Sequence, residues 1–273
     1  WPIGGAIAYP LACARIVAAA GGVVRTDTKV REITITGGRA TGVVLDDGTT
    51  LTADRFVASS IDTPTTVAMA GRELFDDAVN EKLDSWHWGN HSLTTLHLAM
   101  KQAPVYKARD FDSDIDDAYN VFFGMEDLDE VRSCFADCEA KRFPDVLMGN
   151  GACNSAFDPS YAPAGRHSAF WWPFAPYAVD GDAANWDEKR ADYTQRILER
   201  WRDYAVNLGD DNVDATYLYT PLDIERHNTN MIQGAVRMGA YIPSQLGVNR
   251  PHPQLSGTRT PVEGLYICGS GVG

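Results

Sequence analysis

Apolar and polar residues alternate in short runs near the start of the chain, and glycine-containing turns separate these runs. The runs are 23–35, which alternates in its second half, 40–45 and 50–58, and the turns are Gly37-Gly38 and Asp46-Asp47-Gly48. Tight turns between β-rich runs are typical of antiparallel hairpins. The pattern therefore predicts a three-stranded β-meander.

Helical periodicity is clearest from Trp186 to Leu208. Apolar residues recur there every three or four positions, a spacing that places them on one face of a helix, and they are Tyr193, Ile197, Trp201, Tyr204 and Leu208. Similar patterns predict further elements, namely helices at Pro10–Ala20, Gly71–Ser85 and Met125–Lys141 and strands at Leu93–Met100, Val146–Gly149, Val213–Thr220 and Leu265–Cys268.

Two segments lack a regular pattern and are expected to be loops. Ser59–Thr66 contains Pro64, which cannot pair within a sheet. The segment 228–261 is rich in Gly, Pro and Asn. Helices and strands that follow one another in this way predict an α/β (α+β) fold with a mixed sheet covered by helices.

Composition and charge narrow the function classes. The 273 residues carry a net charge of −13, which disfavours nucleic acid as a partner. The longest apolar run, 1–14, ends at Arg15 and is shorter than the about 20 residues that a bilayer requires. Five scattered cysteines indicate a reducing compartment, so a cytoplasmic location is expected.

Two pairs of metal-ligating residue types have the spacing of one helical turn. These are Cys134 with Cys138 and His87 with His91, although Gly89 interrupts the histidine pair. A structural zinc site needs four ligands, and none follows either pair at a suitable spacing. No metal site is therefore expected.

Two glycine-rich turns are candidates for ligand binding. Gly4-Gly5 precedes the first predicted helix, and Gly269-Ser270-Gly271 follows the last predicted strand. The backbone approaches a ligand closely only where a Cβ atom is missing, and its N–H groups suit a phosphate or a flat ring. Ordinary turns use the same residues, so each turn alone is weak evidence.

A series of motifs gives these turns a context. The series is Pro2-x-Gly4-Gly5, the Ala-rich helix, Gly21-Gly22, the strand with Val30, Gly42-Val43-x-Leu45-x-x-Gly48, Ala53-Asp54, Thr220–Arg226, Arg250-Pro251 and Thr260–Gly269. It resembles the FAD-dependent phytoene desaturase and carotenoid isomerase-like oxidoreductases. This branch of the amine oxidase-type flavoprotein group includes the pyridine nucleotide-disulfide oxidoreductase domain proteins. The resemblance covers residues 1–62 and roughly 217–273.

The resemblance implies a division of the chain around FAD. Residues 1–60 with 260–273 would form part of a Rossmann-like FAD-binding domain, and 61–259 would form the substrate domain. Val30 would contact the adenine through its backbone, and Gly4 and Gly5 would lie near the isoalloxazine ring or the substrate beside it. The turn formed by Cys268, Gly269, Ser270 and Gly271 would approach the phosphates and the ribityl chain.

Part of this FAD site is expected to lie outside the chain. The strand–Gly-x-Gly-x-x-Gly–helix unit that binds the pyrophosphate in such flavoproteins does not occur in the sequence. The chain is therefore interpreted as a C-terminal half. A second polypeptide, or a preceding segment of the same one, would supply the nucleotide-binding half.

The implied reaction is hydride removal from, or double-bond rearrangement in, a largely apolar, carotenoid-like substrate. Phe170, Trp172 and Phe174 would line its pocket, although a strand packed on both faces would show the same pattern. An apolar substrate is compatible with peripheral membrane contact. Catalytic residues are not assigned, because the cluster Asp223–His227 fits either proton transfer or a structural ion pair.

Other function classes remain open. A non-catalytic binding or assembly subunit would keep the substrate domain but would not need Gly269-Ser270-Gly271. An amine oxidase in the strict sense would share the flavin and would add an aromatic cage, which the sequence does not locate. A serine hydrolase has little support, because no Gly-x-Ser-x-Gly motif surrounds any serine.

Overall fold

The structure, a computed structural model, describes residues 2–272 and divides the chain into two units. The meander unit comprises Val24–Gly89 and Asn228–Gly273, and the six-strand unit comprises Trp1–Val23 and Asn90–His227. This division differs from the predicted ranges 1–60 with 260–273 and 61–259. The assignment of those ranges to cofactor and substrate stays a proposal, whereas the α/β class is confirmed.

Helices and strands alternate along the chain. The strands are β1 Val30–Thr36, β2 Arg39–Leu45, β3 Thr50–Thr52, β4 Val57–Ser59, β5 His91–Leu93, β6 Thr95–Met100, β7 Val121–Phe123, β8 Gly149–Ala152, β9 His167–Pro176, β10 Val213–Tyr219 and β11 Leu265–Ile267. The α-helices are α1 Ala8–Ala19, α2 Thr63–Ala70, α3 Asp77–Asp84, α4 Leu128–Glu139, α5 Asn154–Phe157, α6 Asn185–Arg202 and α7 Pro221–His227. Short 3-10 helices lie at Arg72–Leu74, Lys107–Asp110, Ser113–Asp117, Pro159–Tyr161, Ile232–Gly234, Pro243–Gln245, Gly247–Asn249 and Pro253–Leu255.

The meander unit contains the predicted hairpins. Strands β1, β2 and β3 pair antiparallel in that order. The prediction of one strand over Thr50–Ala58 is wrong, because the chain leaves this sheet after β3 and β4 pairs parallel with β11 instead. Apolar side chains from these strands, α2, α3 and the segment after residue 250 form a buried core that includes Ile33, Val67, Leu255 and Leu265.

The loop predicted at Ser59–Thr66 contains the start of a helix. Helix α2 begins at Thr63, and the Asp62 carboxylate caps it by accepting a hydrogen bond from the Thr65 amide at 2.9 Å. Pro64 lies in the first helical turn, where a missing N–H group costs nothing. Pro64 thus excludes a strand, as predicted, but it starts a helix.

The six-strand unit is built on a sheet with the order β10-β6-β9-β8-β7, and β5 also pairs with β9. The sequence predicts a mixed sheet in this region, whereas the strand pairings that the structure describes here are all antiparallel. One face of the sheet packs against α6 through fully buried side chains that include Leu96, Trp171, Ile197 and Trp201. The helix predicted at Trp186–Leu208 is thereby confirmed as far as Arg202, whereas Tyr204 and Leu208 lie beyond its end.

Glycines in β8 displace this strand from the predicted position. The strand predicted at Val146–Gly149 lies instead at Gly149–Ala152. A Cβ atom on Gly149 would approach the Trp172 carbonyl oxygen to 1.9 Å, and one on Gly151 would approach that of Phe170 to 2.6 Å. Only glycine permits β9 to approach this closely. Pairing with β9 therefore places these glycines in a strand, although glycine has a low strand propensity.

Candidate functional site

The two parallel strands of the meander unit end next to each other, and the glycine turn follows directly. The Cys268 amide donates to the Ser59 carbonyl at 2.9 Å, which holds the end of β11 beside the end of β4. Gly269 has φ +86°, a left-handed conformation that favours glycine. The turn therefore lies at the carboxyl edge of the pair, close to the start of α2.

The carbonyl groups of this turn are bonded to the protein. The Ser270 carbonyl accepts from Arg250 Nε at 2.6 Å, the Gly271 carbonyl accepts from Thr63 Oγ1 at 3.1 Å, and the Gly269 carbonyl accepts from the Val272 amide at 3.4 Å. Within residues 2–272, the structure gives the amide groups of Gly269, Ser270 and Gly271 no hydrogen-bond acceptor. The turn thus presents backbone N–H donors, while its backbone carbonyl groups are engaged within the protein.

Space beside Gly269 supports a ligand at this turn. A Cβ atom there would meet only the Ser60 carbonyl oxygen, at 4.0 Å, and Gly269 and Ser270 are exposed. Free N–H groups on an open turn suit an electron-rich group such as a phosphate or a ring carbonyl. These residues therefore fit the predicted FAD.

Val30 lies at the same edge of the meander unit. It lines a cleft of about 210 Å³ together with Ile33, Val43, Val57, Met69 and the segment Ala58–Ile61. The walls are mostly apolar, which suits a flat aromatic ring. Because Ser59 and Ser60 touch both the cleft and the turn, the structure brings Val30 and Cys268–Gly271 into one neighbourhood.

Asp62 is a buried acid beside the turn that the sequence did not single out. Only 1% of its surface is exposed, and burial raises the pKa of its carboxyl group although the Thr65 amide bond opposes this. The Asp62 amide donates to Asn230 Oδ1 at 2.8 Å, and Asn230 Nδ2 donates to the Ser60 carbonyl at 3.2 Å. Asp62 and Asn230 therefore fix the loop that connects β4 to α2, and the helix-capping pattern Asp62-Thr63-Pro64 was the available signal.

Gly4 and Gly5 belong to the six-strand unit, where both lie close to other residues of the protein. The Gly4 amide donates to Asp158 Oδ2 at 2.7 Å. A Cβ atom on Gly5 would lie 2.2 Å from the Tyr161 hydroxyl oxygen. The left-handed φ angles of Gly4 and Gly5, +84° and +82°, and the Tyr161 contact are a sufficient reason for glycine at these positions, and their contact with a cofactor stays a prediction.

The three predicted substrate residues share one face of β9. Phe170 and Trp172 have ring centroids 4.9 Å apart, and Phe170 lies 6.4 Å from the His97 ring on the neighbouring strand. Phe174 packs at 5.1 Å against Phe135 of α4. All three predicted residues are half-buried, whereas Trp171 between them is fully buried on the opposite face. Trp171 therefore packs in the core, whereas Phe170 and Trp172 lie on the opposite face of β9, where their rings are partly exposed.

A cavity of about 500 Å³ lies next to this aromatic surface. Its lining includes His97, Ala99, Pro163, His167 and Tyr217. Burial lowers the pKa of His97, so its imidazole is neutral near pH 7. Arg166 and Asp214 also line the cavity and are paired at 2.7 Å, and Lys101 lies 3.7 Å from the same carboxylate, so each of these charges has a partner. The cavity therefore suits an uncharged ligand.

The cluster Asp223–His227 forms a structural network. Asp223 accepts two bonds from Arg190, at 2.7 and 2.9 Å, and bonds from the amide and hydroxyl of Thr220. Arg226 pairs with Asp187 at 2.7 and 2.8 Å, and the Tyr177 hydroxyl donates to Glu225. The geometry favours the ion-pair interpretation over proton transfer.

The described residues show neither a metal centre nor a membrane-spanning helix. Cys134 and Cys138 are buried on α4, and the side chains that the structure describes include no group of three or more His, Cys, Asp or Glu arranged to hold a metal ion. No helix in the described part of the chain combines the length and apolarity that a membrane span requires.

Comparison with known proteins places the chain among flavin enzymes. The family model described as "Flavin containing amine oxidoreductase" matches residues 2–273. A limonene dehydrogenase subunit of Castellaniella defragrans is 30% identical over 92% of this chain and 48% of its own length. Phytoene desaturase (lycopene-forming) of a Paracoccus species is 26% identical over 92% of this chain and 46% of its own length.

The fold also occurs in a solved structure. An oxidoreductase from Methanosarcina mazei superimposes with a TM-score of 0.53 at 16% identity, and the match covers 94% of this chain and 47% of that protein. At this identity the likeness concerns the fold alone. The chain spans about half the length of the curated relatives it matches.

Proposed function

Because the chain belongs to the flavin containing amine oxidoreductase family, we propose that it is the C-terminal portion of a flavin-dependent oxidoreductase acting on a largely apolar substrate. Family membership confirms the resemblance described above and FAD as the cofactor. The proposed reaction is dehydrogenation or isomerisation, and relatives named for limonene and phytoene support an apolar substrate. When bound, FAD would accept the hydride equivalent.

The observation that carries this proposal is the turn at the end of β11, whose backbone carbonyls are bonded within the protein and whose backbone N–H groups are not. Gly269, Ser270 and Gly271 would donate their amide hydrogens to electron-rich groups of FAD. Val30 and the apolar cleft beside it would hold the adenine. These contributions use backbone and shape, which explains why the sequence contains few charged candidates for the cofactor site.

Phe170 and Trp172 would contact the substrate from the six-strand unit. Their half-buried rings provide apolar area, and the neighbouring cavity adds the neutral His97 imidazole and a compensated ion pair. An apolar molecule can be desolvated on such a surface without leaving a buried charge unpaired. Phe174 would contribute at the margin, because it also packs against α4.

We also propose that the chain works with a further nucleotide-binding half. This half would be a segment of the same polypeptide or a separate one, and the relative named as a subunit of a dehydrogenase supports the second arrangement. The alternative function, a non-catalytic assembly subunit, predicts the same partner but no bound flavin.

The test compares the absorption spectrum of the purified chain with that of the chain mixed with a polypeptide that supplies the nucleotide-binding half. We expect a flavin absorption band that survives gel filtration in the mixture. Anaerobic addition of an apolar terpenoid or polyene should then bleach this band, because the flavin becomes reduced. A mixture that retains flavin but is neither bleached by any apolar substrate nor moves a double bond in it, as followed by chromatography of the substrate, would contradict the substrate class. A stable mixture without flavin would favour the assembly subunit.

A further inference from the structure

The carbonyl groups of the glycine turn are held by side chains from two distant parts of the meander unit. Arg250 binds the Ser270 carbonyl, and Thr63 binds the Gly271 carbonyl. Neither residue was singled out by the sequence as a contributor to the turn. Their effect on the turn follows from the geometry of the peptide bond.

In a trans peptide the carbonyl and the following N–H group point in opposite directions. With the Ser270 carbonyl drawn toward Arg250, the Gly271 N–H group points away from the guanidinium. With the Gly269 carbonyl bonded to the Val272 amide, the Ser270 N–H group likewise points away from that bond. Rotation of either peptide would replace a donor with a carbonyl oxygen, which repels a phosphate or a ring carbonyl.

The contacts of the buried Arg250 side chain fix the orientation of the Ser270–Gly271 peptide. It is 4% exposed, and its Nη1 donates to the Gln245 carbonyl at 3.1 Å while its Nη2 donates to the Arg237 carbonyl. Its guanidinium lies 5.5 Å from the Trp86 ring centroid and 5.4 Å from that of Tyr241. Burial lowers the pKa of Arg250, but arginine remains charged in proteins. The planar guanidinium therefore donates to three carbonyl groups at once, a geometry that a lysine ammonium cannot reproduce.

We propose that Arg250 and Thr63 are positioning residues for the cofactor. Arg250 holds the Ser270 carbonyl and so directs the Gly271 N–H group away from the guanidinium, and Thr63 holds the Gly271 carbonyl, whose peptide carries the Val272 N–H group that binds the Gly269 carbonyl and so directs the Ser270 N–H group toward FAD. This inference rests on the proposed function of the turn. Neither side chain needs to touch FAD, and both act through the peptide groups of residues 270 and 271.

The test uses the complete protein with its nucleotide-binding half and three variants. Arg250→Lys keeps the positive charge but loses the planar guanidinium and its several donors. Thr63→Val removes the hydroxyl group, and the valine side chain has nearly the same shape as threonine. Thr194→Val is the matched control, because Thr194 is a half-buried helical threonine whose hydroxyl donates at 2.8 Å to the Arg190 carbonyl within its own helix α6 rather than to the turn or the cleft. Flavin affinity, the visible spectrum of bound flavin and urea unfolding are measured for each.

We expect Arg250→Lys to weaken flavin binding about tenfold or more and Thr63→Val to weaken it about three- to tenfold, in line with the loss of hydrogen bonds to the turn. Both should shift the flavin spectrum, whereas Thr194→Val should leave affinity and spectrum unchanged even if it lowers stability. Thr63→Val keeps the test decisive if Arg250→Lys does not fold.

The outcomes separate this inference from the proposed function. If the unmodified protein binds flavin and the two turn variants behave like Thr194→Val, the positioning role is refuted and the proposed function stands. If the unmodified protein binds no flavin, both are refuted. A loss of stability in Arg250→Lys or Thr63→Val without change in flavin affinity or spectrum would show that these residues support only the fold.

Discussion

Replacement of Gly269 by valine should impair flavin binding much more than folding. The left-handed φ of +86° strains any β-branched residue, at a cost of about 1–3 kcal/mol in the free energy of unfolding. No clash adds to this cost, because a Cβ atom would meet only the Ser60 carbonyl oxygen at 4.0 Å. The valine methyl groups would instead occupy the open side of the turn from which FAD must approach.

The expected loss in flavin affinity follows from the donors that become blocked. A hydrogen bond to a charged acceptor such as a phosphate contributes about 1.5–3 kcal/mol. Loss of one such bond corresponds to roughly a tenfold to hundredfold increase in Kd, at about 1.4 kcal/mol per factor of ten. We therefore expect Gly269→Val to fall in this range.

Gly48→Val is the control for backbone strain. Gly48 lies in the same unit, has φ +84°, and a Cβ atom there would meet no atom within 4 Å. Urea unfolding should give both variants the same loss of stability to within about 0.5 kcal/mol. Equilibrium ultrafiltration of the flavin from the complete protein should show a change only for Gly269→Val. Equal changes in flavin affinity for the two variants, or none for either, would refute the reasoning about the turn.

Two further predictions concern the six-strand unit. Trp171→Ala should lower the free energy of unfolding by about 3–5 kcal/mol, because it leaves a cavity in the core. Trp172→Ala should lower the free energy of unfolding less and should weaken the binding of an apolar substrate, measured by titration. Equal stability losses would contradict the assignment of Trp171 to the core face of β9 and of Trp172 to the opposite face. Asp223→Asn should destabilise the unit by about 2–3 kcal/mol at pH 7, because the partly buried Arg190 loses its two-bond carboxylate partner and keeps only the more distant Asp187 carboxylate, at 3.7 Å. Burial raises the pKa of Asp223, but the bonds from Arg190 and Thr220 outweigh it and lower the pKa below 3.8, so this stabilisation is present above that pH and is lost as the pH falls through the lowered pKa. Urea unfolding at several pH values should show the deficit of Asp223→Asn shrinking below about pH 4, and a deficit that stays constant down to pH 3 would contradict the ion pair.

Much of the secondary structure could be predicted from the sequence because its signals are local. The β1–β2 hairpin follows from alternation and from Gly37-Gly38, and α6 follows from its apolar face. The family resemblance and FAD also came from the sequence, through motifs whose glycines are required where backbone must bend or approach closely. Each of these signals acts within a few residues of the chain.

The tertiary structure decided which segments meet. Strand β4 was predicted as the end of a meander strand, but it pairs with β11, and the bond from Cys268 Sγ to Ser59 joins residues 209 positions apart. The glycines of β8 are strand residues only because β9 approaches so closely. The sequence likewise suggested that Gly269-Ser270-Gly271 binds a ligand, whereas the inward orientation of its carbonyls depends on Arg250 and Thr63. Local propensity sets which conformations a segment can adopt, but hydrogen bonds and packing between distant segments select one of them, and no pattern in a single segment records its partner.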